Sequence, residues 1–147
     1  MIKLVNSILA KTISLTPKSI AKMFARQYVA GESIEEVLKV AERLNQQGFK
    51  TTIDILGEHC RNKSEISQVV ADYKELYKKI NERRLDSNIS IKPTHIGLDI
   101  SYDTALNNLA NILNNANQFD NFLRIDMESS KRTDHTLNIY NELIKNS

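Results

Sequence analysis

Tryptophan is absent and cysteine occurs once, at Cys60. An internal disulfide framework and a multi-cysteine zinc site are therefore excluded. Proline occurs twice and glycine four times in 147 residues, which leaves few places for long irregular loops. No apolar run approaches the length of a membrane span. Charge of one sign is also lacking: 20 Lys and Arg stand against 18 Asp and Glu, for a net charge of +2. That balance offers no concentrated basic face, so nucleic acid is not expected as a partner. No pair among the three histidines has metal-ligand spacing, and no metal is expected. What remains is a globular composition, 41% hydrophobic and 26% charged, with enough chain for one ordinary domain and its core.

The first 31 residues carry five cations (Lys3, Lys11, Lys18, Lys22, Arg26) and no acid before Glu32, leaving the remainder at net −3. Such a start is compatible with a transit peptide. A single arginine and a broken apolar stretch favour instead an amphipathic arm with a solvated lysine face, and a cytoplasmic location. Thr16-Pro17 reads as a helix start, followed by Ile20, Met23, Phe24 and Tyr28 on one face. Ser33-Ile34-Glu35-Glu36 is a capping box. It opens a helix with a stripe of Ile34, Val37, Leu38, Ala41 and Leu44, which Gly48 closes.

Beyond Gly48 the period changes. Residues 51–56, 88–92 and 122–127 are short and β-branched or aliphatic, and read as strands. Between and after them lie three amphipathic helices. The first runs from Ser64 to about Arg83 with Ile66, Val69, Val70, Tyr73, Leu76, Tyr77 and Ile80 on one face. The second carries Ala105, Leu106, Leu109, Ile112, Leu113 and Ala116. The third, which Thr133 can cap, carries Leu137, Tyr140, Leu143 and Ile144. The expected organisation is N-terminal helices over 1–49 and three βα units over 50–147. Alternating strands and helices imply a parallel sheet with right-handed crossovers. At roughly 33 residues per unit, eight units would make a (β/α)8 barrel of ordinary size. A doubly wound open sheet is the competing architecture, but its glycine-rich turn after the first strand is missing, Gly57 standing alone. The expected fold class is α/β, a partial TIM-type barrel of about three βα units.

Side chains alternate along a strand. Asp54 is out of phase with Ile53 and Ile55, Lys92 with Ile89 and Ile91, and Asp126 with Leu123 and Ile125. Each strand thus sends its aliphatic residues toward covering helices and one charge to the opposite face, near the C-terminal end. That end is where parallel barrels build their active sites. Any one of these charges can be read as structural, an aspartate accepting loop N–H bonds or a lysine pairing with it. The convergence of three favours a site. Glu58, four residues after Asp54, can hold a cation or a partner arginine, or be a solvated loop acid. His95, in the loop after Lys92, can donate to a ligand or be a solvated loop histidine. His59 and Cys60 are adjacent and would face different ways, so a catalytic Cys-His pair is not expected, and Cys60 reads as a small buried hydrophobe. His135 reads as a surface residue. Tyr73 and Tyr77 read as core, and the asparagine-rich stretch 107–121 as a polar helix face.

The runs Phe24–Ser33, Asp54-Ile55-Leu56-Gly57-Glu58, Ser90–Leu98 and Arg124-Ile125-Asp126-Met127-Glu128, in this order, resemble proline dehydrogenase. The resemblance covers about residues 24–145. It implies a distorted (β/α)8 barrel with FAD, oxidation of L-proline to Δ1-pyrroline-5-carboxylate, and a quinone as electron acceptor, with peripheral membrane contact among the implied interactions. It also implies roles. Lys92 would help bind the substrate carboxylate. Glu58 would steady a carboxylate-binding arginine from late in the family's chain. Asp54 and Asp126 would be active-site aspartates, and His95 stands where the family pattern leads one to expect glutamine. No flavin-binding residue is assigned. The family's barrel continues through five more strands and a C-terminal helix, which carry the paired substrate arginines and most flavin contacts. The expectation is therefore an N-terminal part of such an enzyme, inactive by itself. Two other readings stand beside it. One is a non-catalytic partial barrel that binds a partner or self-associates through an open sheet edge. The other is a Schiff-base aldolase using Lys92.

Overall fold

A computed structural model describes residues 29–145. The helix expected after Thr16-Pro17, with its face of Ile20, Met23, Phe24 and Tyr28, lies outside the described residues. The described chain divides into two units after Val40. Helix α1 runs over Ile34–Gln46. Its start follows the capping-box chemistry. The Glu36 amide donates to Ser33 Oγ at 3.3 Å, and the Glu36 carboxylate accepts from the Glu32 amide at 2.7 Å. Its end is a Schellman turn: Gly48, at φ +87°, lets the Gly48 amide reach Asn45 O (2.8 Å) and the Phe49 amide reach Leu44 O (3.0 Å). Leu38 and Ala41 are the buried members of its stripe.

The second unit runs β1 (Thr51–Asp54), α2 (Lys63–Glu82), β2 (Ser87–Ile91), α3 (Tyr102–Asn117), β3 (Leu123–Ile125), α4 (Thr133–Lys145). The three strands form one parallel sheet in the order β1-β2-β3. Ile53 lies opposite Ile89 and Ile89 opposite Leu123, while Asp54, Ser90 and Arg124 form the adjoining row. A row of aliphatics therefore shares one face, and a row of polar residues the other. The helices supply the cover: α2 packs on β2 and α3, and α3 packs on β3 and α4.

The α2 stripe is buried as expected, all seven residues of it. Asn62 caps this helix, its side chain accepting from the amides of Ser64 (3.0 Å) and Glu65 (3.4 Å). In α3, Ala105, Leu109, Ile112 and Ala116 are buried, whereas Leu106 and Leu113 are half-buried. Ile80, Ile89, Ile91, Leu109 and Ile112 have almost no exposed surface, and each such side chain contributes roughly 1.5–3 kcal/mol by leaving water.

Two expectations need correction. The outer strands are shorter than 51–56 and 122–127, since Leu56 and Met127 lie beyond the sheet and are exposed. Only one further ladder bond follows β3, from the Asp126 amide to Ile91 O at 3.0 Å. In α4, Leu143 is buried as expected, but Leu137, Tyr140 and Ile144 are exposed, and Thr136 and Ile139 join Leu143 inside. The inward face is rotated, because 136, 139 and 143 repeat with the same steps as 137, 140 and 144.

Candidate functional site

The ends of the three strands bring their charges together. Asp54 is the last residue of β1, Lys92 follows β2 and Asp126 follows β3. Lys92 Nζ lies 2.5 Å from Asp54 Oδ2 and 3.5 Å from Asp126 Oδ2. The lysine thus bridges the outer strands through their aspartates. The three side chains are 26%, 28% and 34% exposed, so the cluster is open to a ligand on one side. The hydrogen bond that Lys92 donates to Asp54, opposed by partial burial and reinforced by both carboxylate charges, raises the Lys92 pKa above its ordinary value. The amine is a fixed ammonium. It has three N–H donors, one of which is hydrogen-bonded to Asp54, while Asp126 lies within ion-pair range.

Two features distinguish the aspartates. Ser90, buried on β2 in the row that contains Asp54, donates its hydroxyl to Asp126 Oδ1. Asp54 Oδ1 is buried and has no hydrogen-bond partner. Asp126 is thus held by a neutral donor and a cation, whereas Asp54 keeps one acceptor for a donor that the described residues do not supply. Farther down the same face the Arg124 guanidinium lies 5.6 Å from the Phe122 ring centroid, both side chains being exposed.

Glu58 is exposed in the β1–α2 loop and makes no side-chain hydrogen bond or ion pair among the described residues. Its carboxylate is available to a cation. His95 is not a solvated loop residue, since it is only 5% exposed. Its ring covers Gly57: a Cβ there would lie 2.5 Å from His95 Cε1 and 2.7 Å from Cδ2. Gly57 is needed for this close approach, and it forms no phosphate cradle. His95 Nδ1 is buried without a partner, and the ring meets Tyr73 edge-on with centroids 6.4 Å apart. Burial pushes the His95 pKa down, despite the nearby Asp54 and Glu65 charges, and keeps the imidazole neutral. Burial and the Asp54 charge push the Tyr73 phenol up, so it stays protonated. Cys60 is buried, and burial raises its thiol pKa, as befits a small core residue and not a nucleophile. Among the described residues no group of His, Cys, Asp and Glu could hold a metal ion. No described helix is long and apolar enough to cross a membrane.

Four further residues near the strand ends, Ser90, Thr94, Asp99 and Arg132, are not among those expected from the sequence. Ser90 had a legible signal, a hydroxyl in a strand of isoleucines and in phase with Lys92. Asp99 and Arg132 had none, because they meet only through the folding of two loops.

The proline dehydrogenase family model matches residues 37–147. Proline dehydrogenase 1 of Bacillus subtilis subsp. natto is 42% identical over 121 residues, 82% of this chain and 40% of that protein. Proline dehydrogenase of Deinococcus radiodurans is 28% identical over 123 residues, again 82% and 40%. The chain thus spans about two fifths of the length of these curated relatives. Among solved structures, proline utilization A from Bdellovibrio bacteriovorus, inactivated by N-propargylglycine, superposes with a TM-score of 0.78 at 22% identity. The match covers 93% of this chain and 16% of that one. Proline utilization A from Corynebacterium freiburgense gives 0.69 at 20% identity, covering 97% and 15%. The likeness shows that the three βα units have the fold expected of the barrel and not of a doubly wound sheet. With the family model covering most of the sequence, the chain belongs to the proline dehydrogenase family.

Proposed function

We propose that this chain supplies part of the active site of an FAD-dependent oxidation of L-proline to Δ1-pyrroline-5-carboxylate, in proline catabolism to glutamate. The observation that carries this reading is the Asp54–Lys92–Asp126 bridge at the strand ends. One ammonium between two carboxylates leaves the cluster with one surplus negative charge. Proline brings a secondary ammonium and a carboxylate. The surplus charge suits the first, and an N–H of Lys92 that is not bonded to Asp54 suits the second. Glu58, exposed and unpaired among the described residues, is placed to steady a carboxylate-binding arginine. His95 is the fifth member of the set, a buried neutral imidazole packed over Gly57.

The described residues fit part of a flavin. The buried, partnerless Asp54 Oδ1 can accept from a polar N–H of a flavin or of the substrate. The pyrophosphate finds no glycine cradle, since Gly57 is covered by His95. When bound, the flavin supplies the hydride acceptor. Asp54, Lys92 and Asp126 orient the substrate, and the buried strand ends beneath them limit water access. We assign the reaction to the cytoplasm, with a quinone reached by peripheral membrane contact.

A Schiff-base role for Lys92 is disfavoured. Such a lysine needs a free amine of lowered pKa, and Asp54 holds this one protonated. Self-association is a second reading. β3 has no strand on its outer side among the described residues, and the Leu137, Tyr140 and Ile144 face of α4 is exposed. Sedimentation of the 147-residue chain distinguishes a monomer from a self-associated form.

The decisive test adds FAD and proline to the chain and follows the oxidised flavin band at about 450 nm. We expect flavin binding to be weak and bleaching to be absent from the chain by itself. Bleaching should return when the chain is joined to the rest of a family barrel, and N-propargylglycine should then block it. Failure of the joined protein to bleach would overturn the reading. Robust bleaching by the isolated chain would overturn only its inactivity.

A further inference from the structure

The three loops that follow β1, β2 and β3 are tied to one another by two sets of bonds that the reading above does not use. The first set centres on Thr94, two residues after Lys92. Thr94 has no exposed surface. Its hydroxyl accepts from the His59 amide at 3.0 Å and donates to Glu128 Oε1, so both roles of the oxygen are filled. Its amide donates to Glu128 Oε2 at 3.0 Å, and its carbonyl accepts from the Cys60 amide at 3.1 Å. A single buried threonine thus holds the β1–α2 loop with its hydroxyl oxygen and carbonyl. It holds the β3–α4 loop with its hydroxyl hydrogen and amide.

The second set centres on Asp99, whose side chain is 2% exposed. One oxygen accepts from His59 Nδ1 at 2.8 Å and the other from Arg132 Nη2. His59 belongs to the β1–α2 loop and Arg132 to the β3–α4 loop, so these bonds span the same three loops. A buried carboxylate is tolerated only when it is paired in this way. His59 is bound at both its amide and its ring and takes φ +55°, a left-handed backbone that non-glycine residues seldom adopt. The residue immediately before it is Glu58.

The placement of these ties decides what they can do. Thr94 lies two residues beyond Lys92, Glu128 two beyond Asp126, and His59 one beyond Glu58. We propose that Thr94 and Asp99 form a two-part positioning clasp that sets Glu58, Lys92 and Asp126 relative to one another. Neither residue needs to touch a ligand. The purpose assigned to the clasp rests on the substrate-site reading above, but its existence can be tested without any ligand.

Amide hydrogen exchange of the 147-residue chain provides that test. Thr94→Val keeps the shape and removes both hydroxyl bonds, while Thr94→Ser keeps them. Thr94→Val should speed exchange about tenfold in segments 57–60, 92–95 and 126–129 together, leaving α2 unchanged. It should also raise acylation of Lys92 by an N-hydroxysuccinimide ester. Thr94→Ser should restore both. Loosening confined to 92–95, uniform loosening of the chain, or a Ser variant as loose as the Val variant would each overturn the proposal. If Thr94→Val fails to fold, Asp99→Asn decides. It must loosen 57–60 and 130–132 together, and loosening of only one of them refutes the clasp. Proline binding to the chain joined to the rest of a family barrel is measured separately. Its absence there would sink the substrate reading and leave the exchange result standing.

Discussion

The two ends of the three-stranded sheet are built from different materials. At the N-terminal end the ties are mostly neutral and mutually satisfied. Thr51 Oγ1 and Ser87 Oγ share a hydrogen bond at 2.5 Å, and Asn121 Nδ2 donates to Ser87 O at 2.9 Å. Asn45 donates to Phe49 O and Asp86 O and accepts from the Asp86 amide, and the Tyr77 hydroxyl donates to Phe122 O at 3.0 Å. At the C-terminal end stand a lysine, two aspartates and a glutamate, with Asp54 Oδ1 and His95 Nδ1 left without partners. Neutral bonds to backbone carbonyls close a loop at little electrostatic cost. Charges crowded together with spare capacity are expensive, and they are kept where a ligand completes them. One end of the strands holds the fold together, and the other carries the proposed site.

Substitutions can break or sharpen this contrast. Ile89→Ala should have the largest effect. Ile89 is fully buried at mid-sheet and in register with both Ile53 and Leu123, so its loss should cost about 2–5 kcal/mol in urea unfolding and loosen both ends equally. Unequal loosening would show that the two ends have separate support. Lys92→Met should come next and act at one end only. Affinity for proline should fall about tenfold or more in a protein that contains the complete barrel, measured by titration calorimetry. Stability should change by about 1 kcal/mol or less, because the partners are partly exposed. Asn45→Ala should show the opposite pattern, a loss of about 1–2 kcal/mol in thermal unfolding with proline affinity unchanged.

The smallest effect concerns pH. Burial lowers the His95 pKa below its ordinary 6.5, so the unfolded chain takes up a proton before the folded one does. The stability from the neutral ring is complete above pH 6.5 and is lost as pH falls from there through the lowered folded value. His95→Gln should flatten this acid limb in a series of melting curves, and an unchanged limb would exclude His95 as its source. Lys92 has the reverse sign. Its pKa is raised above 10.5, so its contribution is complete below that pH and declines as pH rises through the folded value. The Lys92→Met variant should lack that alkaline decline.

Most of the architecture was legible because hydrophobic spacing acts locally. Steps of three and four from Ile66 to Ile80 can bury only one face of a helix, and α2 buries that face. Alternation around Asp54, Lys92 and Asp126 likewise leaves each charge only one side of its strand. The same reasoning held in α4 only for Leu143, because Thr136, Ile139 and Leu143 compete with Leu137, Tyr140 and Ile144 at equal spacing. The loop before the helix sets its rotation, and loop geometry has no period. His95 was ambiguous for a related reason: nothing local shows that a glycine 38 residues earlier makes room for its ring.

The sequence by itself determined the βα alternation, the inner face of α2, the strand-end charges and the family likeness. Those properties depend on residues a few positions apart or on ordered motifs. Only the tertiary structure decided that Lys92 bridges both aspartates, that Ser90 holds Asp126, and that Thr94 and Asp99 join three loops. These contacts link residues 33 to 40 positions apart, a distance at which only the parallel stacking of strands brings side chains into reach.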